Sequence, residues 1–267
     1  MNTLNASYRP MPSPAQVMRH PQTQPRSMVP VTLAAVLLYL LLVPEQFNPT
    51  IGGVYLSPFR VFLLGATFYI MSGALRQSLR FVWPDLFIIL GMLWIWLASY
   101  MTSGLIETSI TMGGSHTVDI GLSYFLARAT IQTPADLRRF LVLIAPGVGF
   151  TGVIVMTEAV THTLILQRLA GAVTGMPFPQ RLDVRLGLMR GWGPFPHPIL
   201  AGICLASLFP IYLLSGLRGW PRLFGVVGAL GGFLTMSSAA MLGLVVGGIL
   251  SLYDWLSQRI GNLNWRV

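Results

Sequence analysis

Long apolar runs alternate with short polar segments along most of the chain. A helix needs about 20 mostly apolar residues to cross the hydrocarbon core of a bilayer. By that criterion the pattern predicts about eight membrane-spanning helices, near residues 28–44, 56–75, 83–103, 114–131, 140–160, 198–215, 222–237 and 239–256. The predicted fold class is therefore all-α, a polytopic integral membrane helix bundle.

Two of the predicted spans depend on more than hydropathy. Asp119 and Arg128 interrupt the fourth span, but keeping it places the arginines after the second span and those before the fifth on one side of the membrane. The segment from Arg222 to Arg259 would be roughly 55 Å long as one helix, against about 30 Å of hydrocarbon. A hairpin that breaks at Ser237 and Ser238 resolves this, and its arms carry glycines spaced for close helix packing.

The composition excludes a water-soluble globule, since 54% of the residues are hydrophobic and only 9% are charged, against roughly 25% charged in soluble domains. All 17 basic residues are arginine, and the net charge is +9. In a soluble protein this excess would suggest a nucleic-acid partner, whereas in a membrane protein positive charge collects in the cytoplasmic loops. We therefore predict contact with membrane lipids and not with nucleic acid. The same rule predicts an N-in, C-in orientation.

The domain organisation follows from the same pattern. Residues 1–27 are polar and rich in proline, which predicts a disordered cytoplasmic tail. Residues 28–256 form the predicted transmembrane core with an external loop at 161–197, and residues 257–267 form a short cytoplasmic tail. The single Cys204 lies in an apolar run, which excludes a disulfide framework and a cysteine-rich metal site. Neither a metal nor another cofactor is predicted.

Most arginines fit the predicted orientation, and the exceptions are informative. Arg60 lies near the outer end of the second span, where its side chain can reach the membrane surface. Four others crowd the external loop 161–197, namely Arg168, Arg181, Arg185 and Arg190. This loop breaks the charge rule that the rest of the chain obeys.

The external loop has its own pattern of apolar and helix-breaking residues. Leu182, Leu186 and Met189 follow i, i+4, i+7 spacing, which predicts a short amphipathic helix on the membrane surface. Prolines from Pro194 to Pro198 then forbid regular helix until the sixth span begins. Irregular backbone near the bilayer has to be buried in protein or line a watery cavity.

The arginines of this loop suit a diphosphate ligand. A guanidinium offers a planar fork of donors to phosphate oxygens and keeps its charge at physiological pH. Arg185 and Arg190 are the main candidates, with Arg181 as a third. The alternative is a loop that binds anionic lipid headgroups or balances local charge.

Three other residues near the loop are candidates for separate roles. His197 can act as a general base, or it can hydrogen-bond a loop carbonyl and so fix the bend before the sixth span. Trp192 is a candidate glycan contact by stacking on a sugar ring. Glu158 lies at the outer end of the fifth span, within reach of the basic loop, but position alone favours a carboxylate exposed at the membrane interface.

Two motifs carry a resemblance to a known family. The run RLGLMRGWGPFPHPILAG, starting at Arg185, and the later run LTMSSAAMLGLVVG resemble the membrane core of the O-antigen ligase and O-antigen polymerase family of bacterial surface-polysaccharide proteins. The stretch VDIGLSYFLARATIQTPADLRRF also resembles the segment that precedes this core in polymerase-like members.

The resemblance implies a glycosyltransferase of the bacterial inner membrane without metal or nucleotide sugar. Such an enzyme takes a glycan from an undecaprenyl-diphosphate carrier on the periplasmic side and passes it to lipid A core or to another carrier-linked glycan. Arg185 and Arg190 match the family's arginines ahead of its HP-x-x-x-G signature, and His197, Pro198 and Gly202 match that signature. The arginines would then grip the diphosphate, and His197 would assist the acceptor hydroxyl.

The chain also departs from the family pattern. It reads Ser238-Ala239-Ala240 where members commonly read Ser-Arg-Gly, so one phosphate-binding arginine has no counterpart. Members usually continue through further helices and a large periplasmic loop that holds the catalytic histidine, so the sequence is expected to be a truncated product, one piece of a split gene or a degenerate copy. Two alternatives to an active transferase therefore stay open: a non-catalytic remnant of the family, and a transporter or flippase for an anionic lipid.

Overall fold

The structure is a computed structural model that describes residues 30–48, 50–51, 54–76, 81–177 and 183–259. Most of these residues are helical, which confirms the predicted helical class. The predicted amino-terminal tail 1–27 and most of the carboxy-terminal tail lie outside the described residues.

The described elements are ten α-helices, joined in places by short π- and 3-10-helical turns, and two antiparallel β-hairpins. The helices are α1 (Thr32–Leu41), α2 (Pro58–Arg76), α3 (Trp83–Ser103), α4 (Ile106–His116), α5 (Ser123–Thr130), α6 (Pro134–Thr161), α7 (Ile165–Thr174), α8 (Pro198–Leu214), α9 (Trp220–Leu230) and α10 (Ser238–Arg259). The strands are β1 (Thr50–Ile51), β2 (Val54–Tyr55), β3 (Val184–Arg185) and β4 (Leu188–Met189).

Three of the described helices are long and apolar enough to cross a membrane: α3, α6 and α10 as far as Ser257. Shorter apolar helices include α1, the first part of α2, and α8. The first predicted span was too long at its end, since α1 stops at Leu41 rather than at residue 44. Pro44 explains the difference, because proline disfavours helical backbone in the residue before it.

The fourth predicted span is longer than hydropathy indicated. It starts at Ile106 and continues through α4, a π-helical turn at Thr117–Leu122 and α5. Gly104 adopts positive φ (65°) and ends α3, so the chain reverses at once into α4. The Ser109 hydroxyl donates to the Trp96 carbonyl at 3.0 Å, so this helix satisfies polar side chains that a hydropathy window penalises.

The centre of the bundle is formed by α6, α8, α9 and α10. Gly152 of α6 lies against Gly228 of α9, and a side chain at either position would overlap the facing backbone. The buried Tyr212 of α8 donates its hydroxyl to the Leu141 carbonyl of α6 at 2.8 Å. The close packing predicted for the glycines of α9 is therefore confirmed.

The predicted break between the last two spans is confirmed. A 3-10 turn (Gly231–Thr235) follows α9, Met236 adopts positive φ (48°), and α10 begins at Ser238. We call the segment from Leu234 to Ser238 the helix break.

The four central helices have their termini at two opposite ends of the bundle. At one end, the Arg138 Nε near the start of α6 donates to the Ser215 carbonyl after α8 at 3.0 Å. The other end holds the end of α6, the start of α8 and the helix break. Arg185 and Arg190 lie at this second end, away from Arg138.

The amphipathic helix predicted over Leu182, Leu186 and Met189 is wrong. Residues 184–189 form the β3–β4 hairpin, whose two turn residues Leu186 (φ 53°) and Gly187 (φ 79°) both have positive φ, as a type I′ turn requires. The side chains do not share a face, since Leu186 is 91% exposed and Met189 is 1% exposed. Leu182 lies outside the described residues.

Candidate functional site

The segment from Asp183 to His197, here called the arginine loop, contains the β3–β4 hairpin and leads into α8. It packs against the end of α6 and the helix break. Gly191 is required at this contact, because a Cβ atom there would lie 2.5 Å from the Val155 carbonyl oxygen of α6. The Gly191 N–H donates to the Leu234 carbonyl at 3.3 Å, which fixes the loop to the helix break.

Arg190 is the buried cation of the loop, with only 5% of its surface exposed. Its Nε donates to the Thr235 carbonyl at 3.0 Å, and its Nη1 donates to Asp183 Oδ2 at 2.7 Å. Thr235 ends a helical turn, where carbonyl groups carry partial negative charge and favour a cation. The Arg190 guanidinium therefore lies at the C-terminal end of the 3-10 turn.

Arg185 is exposed, and its side chain also reaches the helix break. Its Nη1 lies 3.4 Å from the Met236 carbonyl oxygen, next to the carbonyl that binds Arg190. The structure thus brings together the two arginines that the sequence singled out. Arg181 lies outside the described residues.

Asp183 is the acidic residue that pairs with Arg190. Its carboxylate is 52% exposed. The hydrogen bond from Arg190 and its positive charge lower the pKa of Asp183, and the positive charge of Arg185 acts in the same direction. Asp183 therefore holds Arg190 from the solvent side and stays ionised at physiological pH.

His197 caps α8 and remains exposed. Its Nδ1 accepts a hydrogen bond from the Ile199 N–H at 3.2 Å, and Pro198 occupies the first helical position. The bend before α8 is therefore fixed through a backbone N–H donor. The Nε2 atom takes no part in this contact, and the general-base role of His197 stays a prediction.

Trp192 belongs to a small buried cluster with Leu164 and Met189. Its ring centroid lies 6.0 Å from that of His197. Only 9% of Trp192 is exposed, so stacking on a sugar ring would need the loop to open.

Glu158 is buried, and its predicted exposure at the membrane interface is wrong. Its Oε2 accepts the N–H groups of Trp192 (2.9 Å) and Gly193 (2.8 Å), and its Oε1 accepts that of Ile165 (3.0 Å). One carboxylate thus binds both the arginine loop and the first residue of α7. The sequence placed Glu158 within reach of the basic loop but did not identify its partners, which lie 34 and 35 residues further along the chain.

A second residue ties α7 to the loop. The buried Gln167 donates its Nε2 to the Gly193 carbonyl at 2.7 Å and to the Phe195 carbonyl at 3.1 Å. The turn after Arg190 is therefore held through its N–H groups by Glu158 and through its carbonyl groups by Gln167.

A mostly apolar cavity of about 650 Å³ lies beside the prolines of the arginine loop. Its walls come from the end of α1, the start of α2, residues 194–196 and the first turns of α8. The charged residues at the cavity include Glu45 and the pair Arg60–Asp119.

Two ion pairs join helices in the first half of the chain. Arg60 donates from Nε and Nη2 to the two carboxylate oxygens of Asp119, at 2.8 and 2.7 Å. Arg128 pairs with Asp85, which also accepts the Tyr124 hydroxyl at 2.8 Å. Tertiary contacts between helices decide both pairings.

No protein-family model, curated protein or solved structure matches this chain. The resemblance to the O-antigen ligase and polymerase family therefore rests on the motif residues alone.

Proposed function

We propose that this chain is a polysaccharide-assembly glycosyltransferase of the O-antigen ligase or polymerase type. Its donor would be an undecaprenyl-diphosphate-linked glycan, and its acceptor lipid A core or a second carrier-linked glycan. The observation that carries the proposal is that Arg185 and Arg190 reach the adjacent carbonyls of Met236 and Thr235, at the end of the bundle where His197 caps α8.

The two arginines differ in what they offer a diphosphate. A guanidinium has five N–H donors, and Arg190 directs two of them at Thr235 and Asp183. Its charge is thus fixed in position before a ligand arrives, and fixed charges stabilise a departing diphosphate without reorganisation. Arg185 is exposed and only weakly held by Met236, so we assign it the first contact with the ligand.

The neighbouring cavity supports a carrier that is both charged and apolar. Residues 194–196 of the arginine loop form one of its walls, and its lining is mostly hydrophobic. Ligand sites commonly combine such a lining with a few polar groups in a volume of about 300–1,000 Å³. A prenyl chain could occupy this cavity while its diphosphate reaches Arg185.

We also infer that the chain crosses the bacterial inner membrane eight times, with both ends in the cytoplasm. The eight passes correspond to α1, α2, α3, α4 with α5, α6, α8, α9 and α10. The α1 helix, at roughly 15 Å, is the weakest match. Arg138, Arg139 and Arg222 lie at the proposed cytoplasmic end, in agreement with the charge rule. The arginine loop lies at the proposed periplasmic end and is the exception to that rule.

Replacement of Arg185 tests the catalytic proposal. In the producing cell, Arg185→Ala should abolish most of the polymer or ligated product, because the exposed guanidinium that contacts the diphosphate is lost. Arg168→Ala is the matched control, since Arg168 is exposed on α7 in the same external segment. Unchanged product from Arg185→Ala, at equal protein level in the membrane, would contradict the assignment.

The cavity beside a basic loop would also suit a transporter or flippase for an anionic lipid. The two functions differ in what they do to the carrier. In vesicles with purified protein, a transferase joins glycan to an acceptor without moving carrier across the bilayer. Carrier that changes leaflet with no glycosidic bond formed would favour transport.

A further inference from the structure

We propose that Glu158 is a positioning residue for the anion site: its buried carboxylate holds the turn after Arg190 and thereby sets where the Arg190 guanidinium lies. The inference rests on the proposed function in that it takes the arginine loop as a diphosphate site. Glu158 itself has no contact with the proposed ligand and acts through Arg190.

The hydrogen bonds of Glu158 require a carboxylate and not another polar group. Both oxygens accept from backbone N–H groups, two from the loop and one from α7. An ionised carboxylate is an acceptor at both oxygens, whereas a glutamine side chain presents an NH₂ group at one of them. In Glu158→Gln one set of N–H donors would face another donor and lose its partner.

Burial makes these bonds expensive to break. Glu158 has no exposed surface, and a buried polar group left without a partner is not compensated by water. Leu164, which precedes α7, supplies no side-chain cap, so Glu158 satisfies a helix N–H group of α7 from α6. The same residue therefore determines where α7 and the loop lie relative to α6.

The path from Glu158 to Arg190 is short. Trp192 and Gly193, whose N–H groups bind Glu158, follow Arg190 by two and three residues, and Gly191 between them donates to Leu234. On the other side of Arg190, its N–H donates to the Asp183 carbonyl at 2.9 Å. The backbone of Arg190 is thus fixed from both directions, and its side chain can meet Thr235.

A double-mutant cycle with Arg190 separates positioning from a general contribution to stability. The probe is inorganic pyrophosphate, and its dissociation constant is measured for the full chain in lipid nanodiscs. Glu158→Gln should weaken binding by about tenfold, the effect of losing one charged hydrogen bond. In an Arg190→Lys background, which keeps the charge but lacks the fork that joins Thr235 and Asp183, the same change should weaken binding by less than about twofold.

Hydrogen exchange supplies an independent readout of the loop. In Glu158→Gln the amides of Gly191, Trp192, Gly193 and Phe195 should exchange about tenfold faster, since the N–H groups of Trp192 and Gly193 lose their charged acceptor. Glu107→Gln, an exposed glutamate on α4, is the matched control and should change neither measurement. If Glu158→Gln does not accumulate in the membrane, Glu158→Asp replaces it, because the shorter carboxylate cannot reach both partners.

Three results would overturn the inference: pyrophosphate binding that Glu158→Gln leaves unchanged, an equal loss in both arginine backgrounds, or unchanged exchange at these loop amides. A wild-type chain that binds no pyrophosphate would instead overturn the proposed diphosphate site. In that case the exchange rates alone decide on Glu158. Faster exchange would support its positioning role, and unchanged exchange would overturn it.

Discussion

Two Arg–Asp pairs, one between helices and one in the arginine loop, differ in which partner is buried. In the pair Arg128–Asp85 the carboxylate is 2% exposed and the arginine 21%. In the pair Arg190–Asp183 the arginine is 6% exposed and the carboxylate 52%. In the first pair the negative charge is buried. In the second pair the positive charge is buried, and the acid is exposed to solvent.

The difference indicates what each pair can do. Asp85 accepts the Val82 N–H and the Tyr124 hydroxyl in addition to pairing with Arg128, so it links α3 to α5. An added ligand would only disrupt this arrangement. At Arg190 an anion could approach from the side of Asp183, so the same residue types can form a binding site. In the structural pair the acid is buried, whereas in the candidate site the arginine is buried and the acid is exposed.

Replacement of Asp85, the buried acid, should have the largest effect on stability. Asp85→Ala leaves Arg128 without its carboxylate in the bundle, and breaking a buried pair costs about 3–5 kcal/mol. The measurement is the apparent free energy of unfolding of the purified chain in micelles, followed by circular dichroism. The double variant Asp85→Leu with Arg128→Leu should recover most of the loss, because no charge is then left unpaired. A loss under about 1 kcal/mol for Asp85→Ala would remove the distinction between the two pairs.

The pair Arg60–Asp119 should give an intermediate effect. Its side chains are 26% and 30% exposed, and both carboxylate oxygens accept from the guanidinium. Asp119→Asn should cost about 1.5 kcal/mol, since one charge-assisted hydrogen bond is lost while the other persists in weaker form. The same unfolding measurement checks this. A loss equal to that of Asp85→Ala would show that exposure does not rank these pairs.

Replacement of the exposed acid should change binding more than stability. Asp183→Asn should cost under about 1 kcal/mol, as is usual for exposed pairs. It also removes a negative charge beside Arg190, so pyrophosphate should bind about fivefold tighter, the equivalent of about 1 kcal/mol. Equilibrium binding in nanodiscs measures this, with Asp136→Asn on the opposite end of α6 as the control. Weaker binding in Asp183→Asn would mean that the acid assists the ligand.

The smallest expected effect is on pH dependence. The pKa of Asp183 is lowered in the folded chain, chiefly by the hydrogen bond from Arg190. Its contribution to stability is therefore complete above the unfolded-state pKa of about 3.9 and declines as the pH falls through the lowered folded-state value. The difference in melting temperature between wild type and Asp183→Asn should be constant from pH 7 to 5 and shrink in more acidic buffer. A difference that grows on acidification would contradict this linkage.

The sequence predicted long elements well and local geometry poorly. Apolar runs indicated helices at α3, α6, α8 and α10, because hydrophobicity over 17 or more residues is a strong signal. The hairpin at 184–189 was missed because three apolar residues also fit helical spacing. Positive φ at Leu186, which decides for a type I′ turn, is rare for such a residue and leaves no signal in the pattern.

The candidate site was predicted in part. Arg185, Arg190 and His197 were singled out by their charge, chemistry and motif positions. The fold brings the two arginines to adjacent carbonyls of the helix break and places His197 at the start of α8. Glu158 was misjudged because its burial depends on a loop more than 30 residues away. The acceptors for the arginines are backbone carbonyl groups of the helix break, and no side-chain pattern records those.

By itself the sequence determined the helical class, the break before α10 and the arginines that form the basic loop. These features depend on composition and on spacing within one segment, which local physical chemistry governs. Only the tertiary structure decided the partners. It determined which acid pairs with which arginine, which carboxylate is buried, and which arginine is exposed to solvent. Such contacts join residues distant in the chain, and their energies depend on burial that packing alone creates.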